Sequence, residues 1–442
     1  MKYTFGGFYS IKKLISVKIK EEHIVKLNKN SLKNHIENFD FLANKLSKKG
    51  HNVSDIVSKL SELQVAIPSW ALGAGGTRFG RFSFYGEPSN LEQKLEDVGV
   101  LQSLTQTAGA VSLHIPWDIP SDYNAIIEQA DALNIKFDSV NSNTFQDQKY
   151  AIETYKYGSL SNTSQAVREQ AIQHNLDVIN IGDKLGSKCL TIWLADGSCF
   201  PGQNNFQTAF QNTQDSLKNI YMGLPDDWKM LIEYKPYEPN LYSTVIRDWG
   251  ASLMLANGCG DKAFTLVDLG HHLPNSNIEQ IVSILQLKGK LGGFHFNDSK
   301  YGDDDLTVGS IKPYALFLIF NELVYGMENN PQNPDLNWMI DASHNVKDPL
   351  EDLIQSLEAI QEAYAKALLI DQAELKVAQL NNDVVKCQEI LQGAYRTDVR
   401  SLLEKVRLSS GGALSPINAY RSLNIRDTLI KERGKNTVAT GL

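Results

Sequence analysis

The sequence predicts a (β/α)8 TIM barrel with helical additions at both ends, and three features carry that prediction. Eight short apolar runs each close on polar or aromatic residues, a helix-period stretch follows each run, and the eight units fill about 290 residues, the rhythm and length of such a barrel. The runs are VAIPSWAL at 65–72, AVSLHIPWD at 110–118, IKFDSVNSN at 135–143 and KCLTIWLADG at 188–197. KMLIEYKPYEP at 229–239, FTLVDLGHH at 264–272, LGGFHFND at 291–298 and NWMIDASH at 337–344 complete the set.

Between the runs, QAVREQAIQHNLDVINIGDKLG at 165–186 and NIEQIVSILQLKG at 277–289 place apolar residues at helical spacing and end in glycine, as helices between parallel strands do. An open, doubly wound sheet would ordinarily show a Gly-rich phosphate turn that opens a helix after its first strand. GAGGTRFG at 73–80 follows a strand, but it runs on into RFSFYGEP with no helix start, so the barrel is preferred.

Ahead of the barrel, Ile24, Leu27, Leu32, Ile36, Phe39, Leu42 and Leu46 recur at helical spacing. The expected division is a helical lead-in over 1–64, a barrel over 65–370 and a helical extension over 371–442, with NTVATGL fraying at the end. PLEDLIQSLEAIQEAYAKALLI supplies the last barrel helix, and helix-period residues continue to about 408.

Composition narrows the function. The 442 residues are 42% hydrophobic and 21% charged, enough for a full-sized core. A net charge of −8 argues against a nucleic-acid partner, which wants a basic face. The Lys-rich start lacks an unbroken apolar core and a small-residue cleavage site, and no stretch reaches the ~18 apolar residues of a spanning helix, so no membrane association is expected. Four scattered cysteines form no CxxC pair, and a reducing cytoplasm is the expected compartment.

The polar residues fall at the strand ends, where the loops of a barrel converge on chemistry. His114, His271, His272, His295 and His344 belong to strand-end segments, whereas His23, His35, His51 and His174 fall in helical stretches. Glu233, Asp268, Asp298, Asp303, Asp305 and Asp341 join them. Carboxylates crowded into one mouth repel unless a cation sits among them, and a carboxylate–imidazole set without cysteine favours Mn²⁺, Mg²⁺ or Co²⁺. The bland alternative is a set of buried ion pairs. Glu233 and Lys235 stand two apart and so point the same way, as do Asp303 and Asp305 with Asp304 turned aside. Trp70, Trp117, Trp193 and Tyr237 stand at matching positions, and aromatic walls suit the C–H faces of a sugar.

Taken in order, LHIPWD, IEYKPYEP, VDLGHH, FHFNDSKYGDDDL and MIDASH resemble the L-rhamnose isomerase group of metal-dependent sugar isomerases, in its bacterial branch with relaxed specificity. The resemblance covers about 65 to 350 and implies a homotetramer holding two divalent ions per subunit, Mn²⁺ foremost, with Co²⁺ or Mg²⁺ as alternatives and no organic cofactor. It implies that Glu233 bridges the ions, that Asp268, His295 and Asp341 complete one site, and that His271, Asp303 and Asp305 complete the other. Asp305, Lys235 and His114 would be catalytic, with Trp117, Trp193, Lys235 and Ser343 touching the sugar and Phe79, in a candidate lid at 75–86, reaching a neighbouring subunit. His272 has no ligand role by this likeness. L-rhamnose and L-rhamnulose, then D-allose and D-psicose, are the implied substrates. The rivals are a sugar 3-epimerase using two strand-end glutamates, an abasic-site endonuclease and a sugar-binding barrel without activity.

Overall fold

In the computed structural model eight parallel strands close into a barrel in chain order, β1 pairing with both β2 and β8. Residues 19–73, 84–149, 151–238, 242–344 and 346–435 are described. Phe79, most of the candidate lid, GAGGTRFG after its first residue and the terminal NTVATGL lie outside them. The strands are β1 (Ala66–Pro68), β2 (Ala110–Ile115), β3 (Lys136–Ser142), β4 (Cys189–Trp193), β5 (Lys229–Glu233), β6 (Ala263–Asp268), β7 (Leu291–Phe296) and β8 (Asn337–Ile340). All eight predicted runs contain a strand. The run at 65–72 forms only three strand residues before a 3-10 turn at Ser69–Ala71, because Pro68 offers no N–H to extend the ladder.

Register builds the interior in layers. Ala66, Cys189, Leu231, Phe264, Leu266 and Met339 pack together inside the barrel, and the side chain two residues further along a strand points the same way, toward the mouth. That step of two carries Leu231 to Glu233, Leu266 to Asp268 and Met339 to Asp341. Cross-strand pairing sets Trp193 beside Glu233, Asp268 beside His295, and His114 beside Asn141.

The intervening helices cover the outside. Gln165–Leu185 ends on Gly186 in the left-handed conformation, φ +83°, and Gly289, φ +63°, follows Ile278–Leu287, so the two glycines stop these helices as the sequence predicts. The lead-in forms helices Glu21–Asn28, Leu32–Lys48 and Val53–Glu62, although Ile36 faces solvent rather than the core. The extension forms Gln372–Leu380, Val384–Tyr395 and Arg400–Ser409, then two short helices, Pro416–Ser422 and Ile425–Arg433, that periodicity did not reveal. The two ends meet: His35 Nδ1 lies 2.9 Å from Glu404, and the Asn28 side chain bonds the backbone of Gly412 and Leu414. Among the described residues no helix is long and apolar enough to cross a membrane.

Candidate active site

At the carboxyl end of the barrel a cavity of about 230 Å³ opens between aromatic and acidic walls. Glu233, His271, His295, Asp303, Asp305 and Asp341 form one side, and Trp70, His114, Phe145 and Trp193 face them. β5 to β8 thus deliver the charged groups while β1 to β4 deliver the rings. The aromatic side is a continuous chain of ring contacts: His114 lies edge-on 5.3 Å from Trp70 and tilted 5.6 Å from Phe145, which lies edge-on 4.6 Å from Trp193.

The acidic side is compact. One oxygen of Glu233 stands 3.0 Å from His295 Nδ1 and 3.4 Å from His271 Nδ1, and His271 Nε2 stands 3.0 Å from Asp303. Asp268 is fully buried. Its Oδ1 accepts from the Gly270 amide at 2.6 Å, and both oxygens accept from Asn297 Nδ2, at 3.0 and 3.2 Å. Trp70 Nε1 donates to Asp341 at 2.8 Å. Lys235, buried just beyond β5, pairs with both Asp303 and Glu238 and lies 4.9 Å from the Trp193 ring centre. Asp303 and Asp305 both hold left-handed backbone, φ +53° and +49°, a conformation aspartate tolerates better than most residues and one that clusters at functional sites. Between them Asp304 turns aside, its carboxylate accepting from the amides of Lys300 and Tyr301.

The charges strain against one another. Burial, and then the carboxylates of Asp341 and Glu233, push the Asp268 carboxyl well above its usual range. Burial would lower His295, but Glu233, Asp341 and Asp268 outweigh it and raise the imidazole to about 9. Burial lowers His114 to about 4, so its ring is neutral at ordinary pH. A divalent cation fits this set. Ligand atoms of Glu233, Asp268 and His271 lie within 4.8 Å of one another, as do those of Asp268, His295 and Asp341, and His295 Nε2 is buried with no hydrogen-bond partner among the described residues. Asp268 belongs to both groups. Asp303 and Asp305 line the same cavity but join neither trio.

Several residues singled out in the sequence sit elsewhere. Trp117 stands edge-on to His114 at 4.7 Å, behind the cavity wall, and Ser343 donates its backbone N–H to the Asp305 carbonyl. Tyr237 is 40% exposed and outside the cavity. His272 turns away to the Tyr234 hydroxyl at 2.6 Å, His344 bridges Asp352 and the Ala71 carbonyl, and Asp298 accepts from Ile311 N and Lys312 N ahead of helix Pro313–Asn329. Phe145, Asn141, Gln146 and Glu238 line the cavity and Asn297 braces Asp268, none of them distinguished by the sequence pattern; Asn141, Glu238 and Asn297 lie inside the strand-end runs, Phe145 and Gln146 beyond them.

Fold and site together define a (β/α)8 barrel whose mouth gathers the carboxylates and imidazoles that divalent cations favour. No family model matches the chain. A probable sugar isomerase of Rhizobium meliloti strain 1021 is 50% identical over 395 residues, 89% of this chain and 92% of that protein. A probable sugar isomerase of Mesorhizobium japonicum is 50% identical over 400 residues, 90% of this chain and 93% of that protein. The chain belongs to the family of these sugar isomerases. Among solved structures, an L-ribulose 3-epimerase (14% identity, 73% of this chain and 98% of that one) and a 3-keto-D-glucoside 4-epimerase from E. coli (10% identity, 68% and 99%) each superpose with a TM-score of 0.49.

Proposed function

We propose that this chain is a divalent-metal-dependent aldose–ketose isomerase that interconverts L-rhamnose and L-rhamnulose, and more slowly D-allose and D-psicose. The observation that carries the proposal is the pair of ligand trios, Glu233–Asp268–His271 and Asp268–His295–Asp341, at the ends of four adjacent strands. Two ions per subunit, Mn²⁺ foremost, would be held by these five residues with Asp303 and Asp305. When bound, they supply Lewis-acid polarisation of the sugar oxygens.

The side chains have separable roles. His114, neutral because it is buried, exchanges hydrogen bonds with the sugar ring as it opens, and Asp305 takes and returns the proton of that opening. Trp193 and Phe145 cover the C–H faces of the open chain and exclude water. Lys235, an ammonium between two carboxylates, stabilises negative charge on the carbonyl oxygen O1 while hydride passes from C2 to C1 within the substrate and the O2 proton ends on O1. Trp117 supports His114 from behind, Ser343 holds the backbone of Asp305, and Phe79 is assigned to a neighbouring subunit's cavity in a cytoplasmic homotetramer. A 3-epimerase would need two carboxylates free to exchange a proton at one carbon. Of the two glutamates on the cavity wall, Glu233 lies against His295 and His271, and Glu238 is tied to Lys235, which favours isomerisation.

The test is ketose formation from L-rhamnose and D-allose by EDTA-stripped protein, with and without Mn²⁺, and with D-fructose in parallel. Activity on L-rhamnose restored by Mn²⁺ is expected. Conversion of D-fructose to another ketose with both aldoses untouched would replace the isomerase by an epimerase.

A further inference from the structure

We infer that Asn297 is a positioning residue for both ions, acting through Asp268. The inference rests on the two-ion reading above. Asp268 is the carboxylate common to the two trios, so its orientation bears on each. It is fully buried at the end of β6. Two fixed donors hold it in place: the Gly270 amide and the Asn297 side chain, which reaches both oxygens.

The geometry of Asn297 shows what the contact costs the chain. An amide has a donor end and an acceptor end. Asn297 turns its Nδ2 to Asp268, and its Oδ1 is left buried without a hydrogen-bond partner among the described residues. A purely structural asparagine would be expected to satisfy both ends. The loop is shaped around this arrangement, since a Cβ at position 270 would lie 3.2 Å from Asn297 Oδ1, 3.3 Å from Asp268 Oδ1 and 3.1 Å from the Asp303 backbone. The fold, by contrast, is anchored independently of the amide. The next residue, Asp298, exchanges backbone hydrogen bonds with Leu306, and its carboxylate accepts from Ile311 and Lys312.

Removing the Asn297 donor leaves Asp268 held by the Gly270 amide at one oxygen alone, so its orientation loosens in both trios and both ions weaken together. The experiment is Mn²⁺ titration of EDTA-stripped wild type, Asn297→Ala and Asn297→Leu by calorimetry, with circular dichroism and thermal melting of the stripped proteins. Expected are two ions on wild type, and in both variants a loss of about 10- to 100-fold in affinity at each site with the metal-free melt little changed. Wild-type affinity at either site in the variants overturns the inference, as does a metal-free variant that fails to fold, which would assign Asn297 to the scaffold. A wild-type chain that takes up no Mn²⁺ would instead remove the two-ion reading on which the inference stands.

Discussion

Adjacent histidines at 271 and 272 face opposite ways, and the pH response of each follows from what it meets. His271 faces the carboxylates of Glu233 and Asp303, whereas His272 turns to the Tyr234 hydroxyl and the Leu269 carbonyl, and burial holds its imidazole down at about 4. A histidine whose folded pKa lies below its unfolded value of about 6.5 favours the fold while neutral; that stability is full above pH 6.5 and is lost as the pH falls toward 4. His114, also near 4, has the same sign. His295, raised to about 9, has the opposite sign, its contribution intact below 6.5 and lost only as the pH rises through 9. Acidification of the metal-free protein therefore charges two buried rings, each costing about 2 to 3 kcal/mol by pH 4.5. His272→Gln keeps a polar partner for the Tyr234 hydroxyl and cannot take up a proton. In urea unfolding at pH 7 and pH 4.5, the variant is expected to lose about 2 to 3 kcal/mol less than wild type over that interval. Equal losses would show that His272 is not held neutral by the fold.

At the scale of elements, period-two alternation made the strands and the inward acidic residues readable in the sequence. Glu233, Asp268, His295 and Asp341 each follow an apolar run at the position that must point into the barrel. Asn297 could not be found that way, because its meaning depends on a partner 29 residues earlier that only the β6–β7 register brings alongside. Phe145 and Asn141 carry residue types as common in loops and cores as in sites. Helices Pro416–Ser422 and Ile425–Arg433 span too few turns to show a period, and tertiary packing sets them. That packing is tight at Gly86. It holds φ +66°, and a Cβ there would come 2.6 Å from the Ile430 amide nitrogen and 2.7 Å from the Leu429 carbonyl carbon. Gly50 also has a positive φ, +91°, but no atom stands within 4 Å of its added Cβ. Gly50→Ala should therefore cost only about 1 kcal/mol of backbone strain, whereas Gly86→Ala should cost more and expose the last helix to proteolysis. Equal melting temperatures and equal digestion patterns for the two variants would mean that the helix yields without cost.

Across the whole molecule, the last C-terminal helix binds the barrel through ion pairs to its first and last outer helices, Leu91–Thr105 and Pro349–Ala367. Arg426 grips Asp348, the N-cap of helix Pro349–Ala367, and Arg433 reaches Glu96 at 3.1 Å and Asp97 at 2.8 Å in helix Leu91–Thr105. The last contact is close but badly aligned. Neither oxygen of fully buried Asp97 receives a well-directed hydrogen bond among the described residues, and burial raises its carboxyl to about 6 even with the guanidinium beside it. Loss of one partner from such a pair leaves an uncompensated buried charge and typically costs about 3 to 5 kcal/mol, whereas loss of both is often close to neutral. Arg433→Met should thus be strongly destabilising at pH 8, and Asp97→Asn combined with it should recover much of the loss. The pH dependence adds an independent check. Because the folded pKa of Asp97 lies above its unfolded value, its ionisation opposes folding above about pH 6, and that penalty is relieved as the pH falls toward 3.8. Without Arg433 the carboxyl rises further, so the deficit of Arg433→Met relative to wild type should narrow between pH 8 and pH 5, while that of the double variant should widen by about 1 kcal/mol, because it lacks the carboxyl whose penalty wild type sheds on acidification. Urea unfolding of the three proteins at both pH values decides the matter. An Arg433→Met deficit that is the same at pH 5 and pH 8, with no recovery in the double variant, would place the role of Arg433 in its bonds to the Gly86 and Gln93 carbonyls rather than in neutralising Asp97.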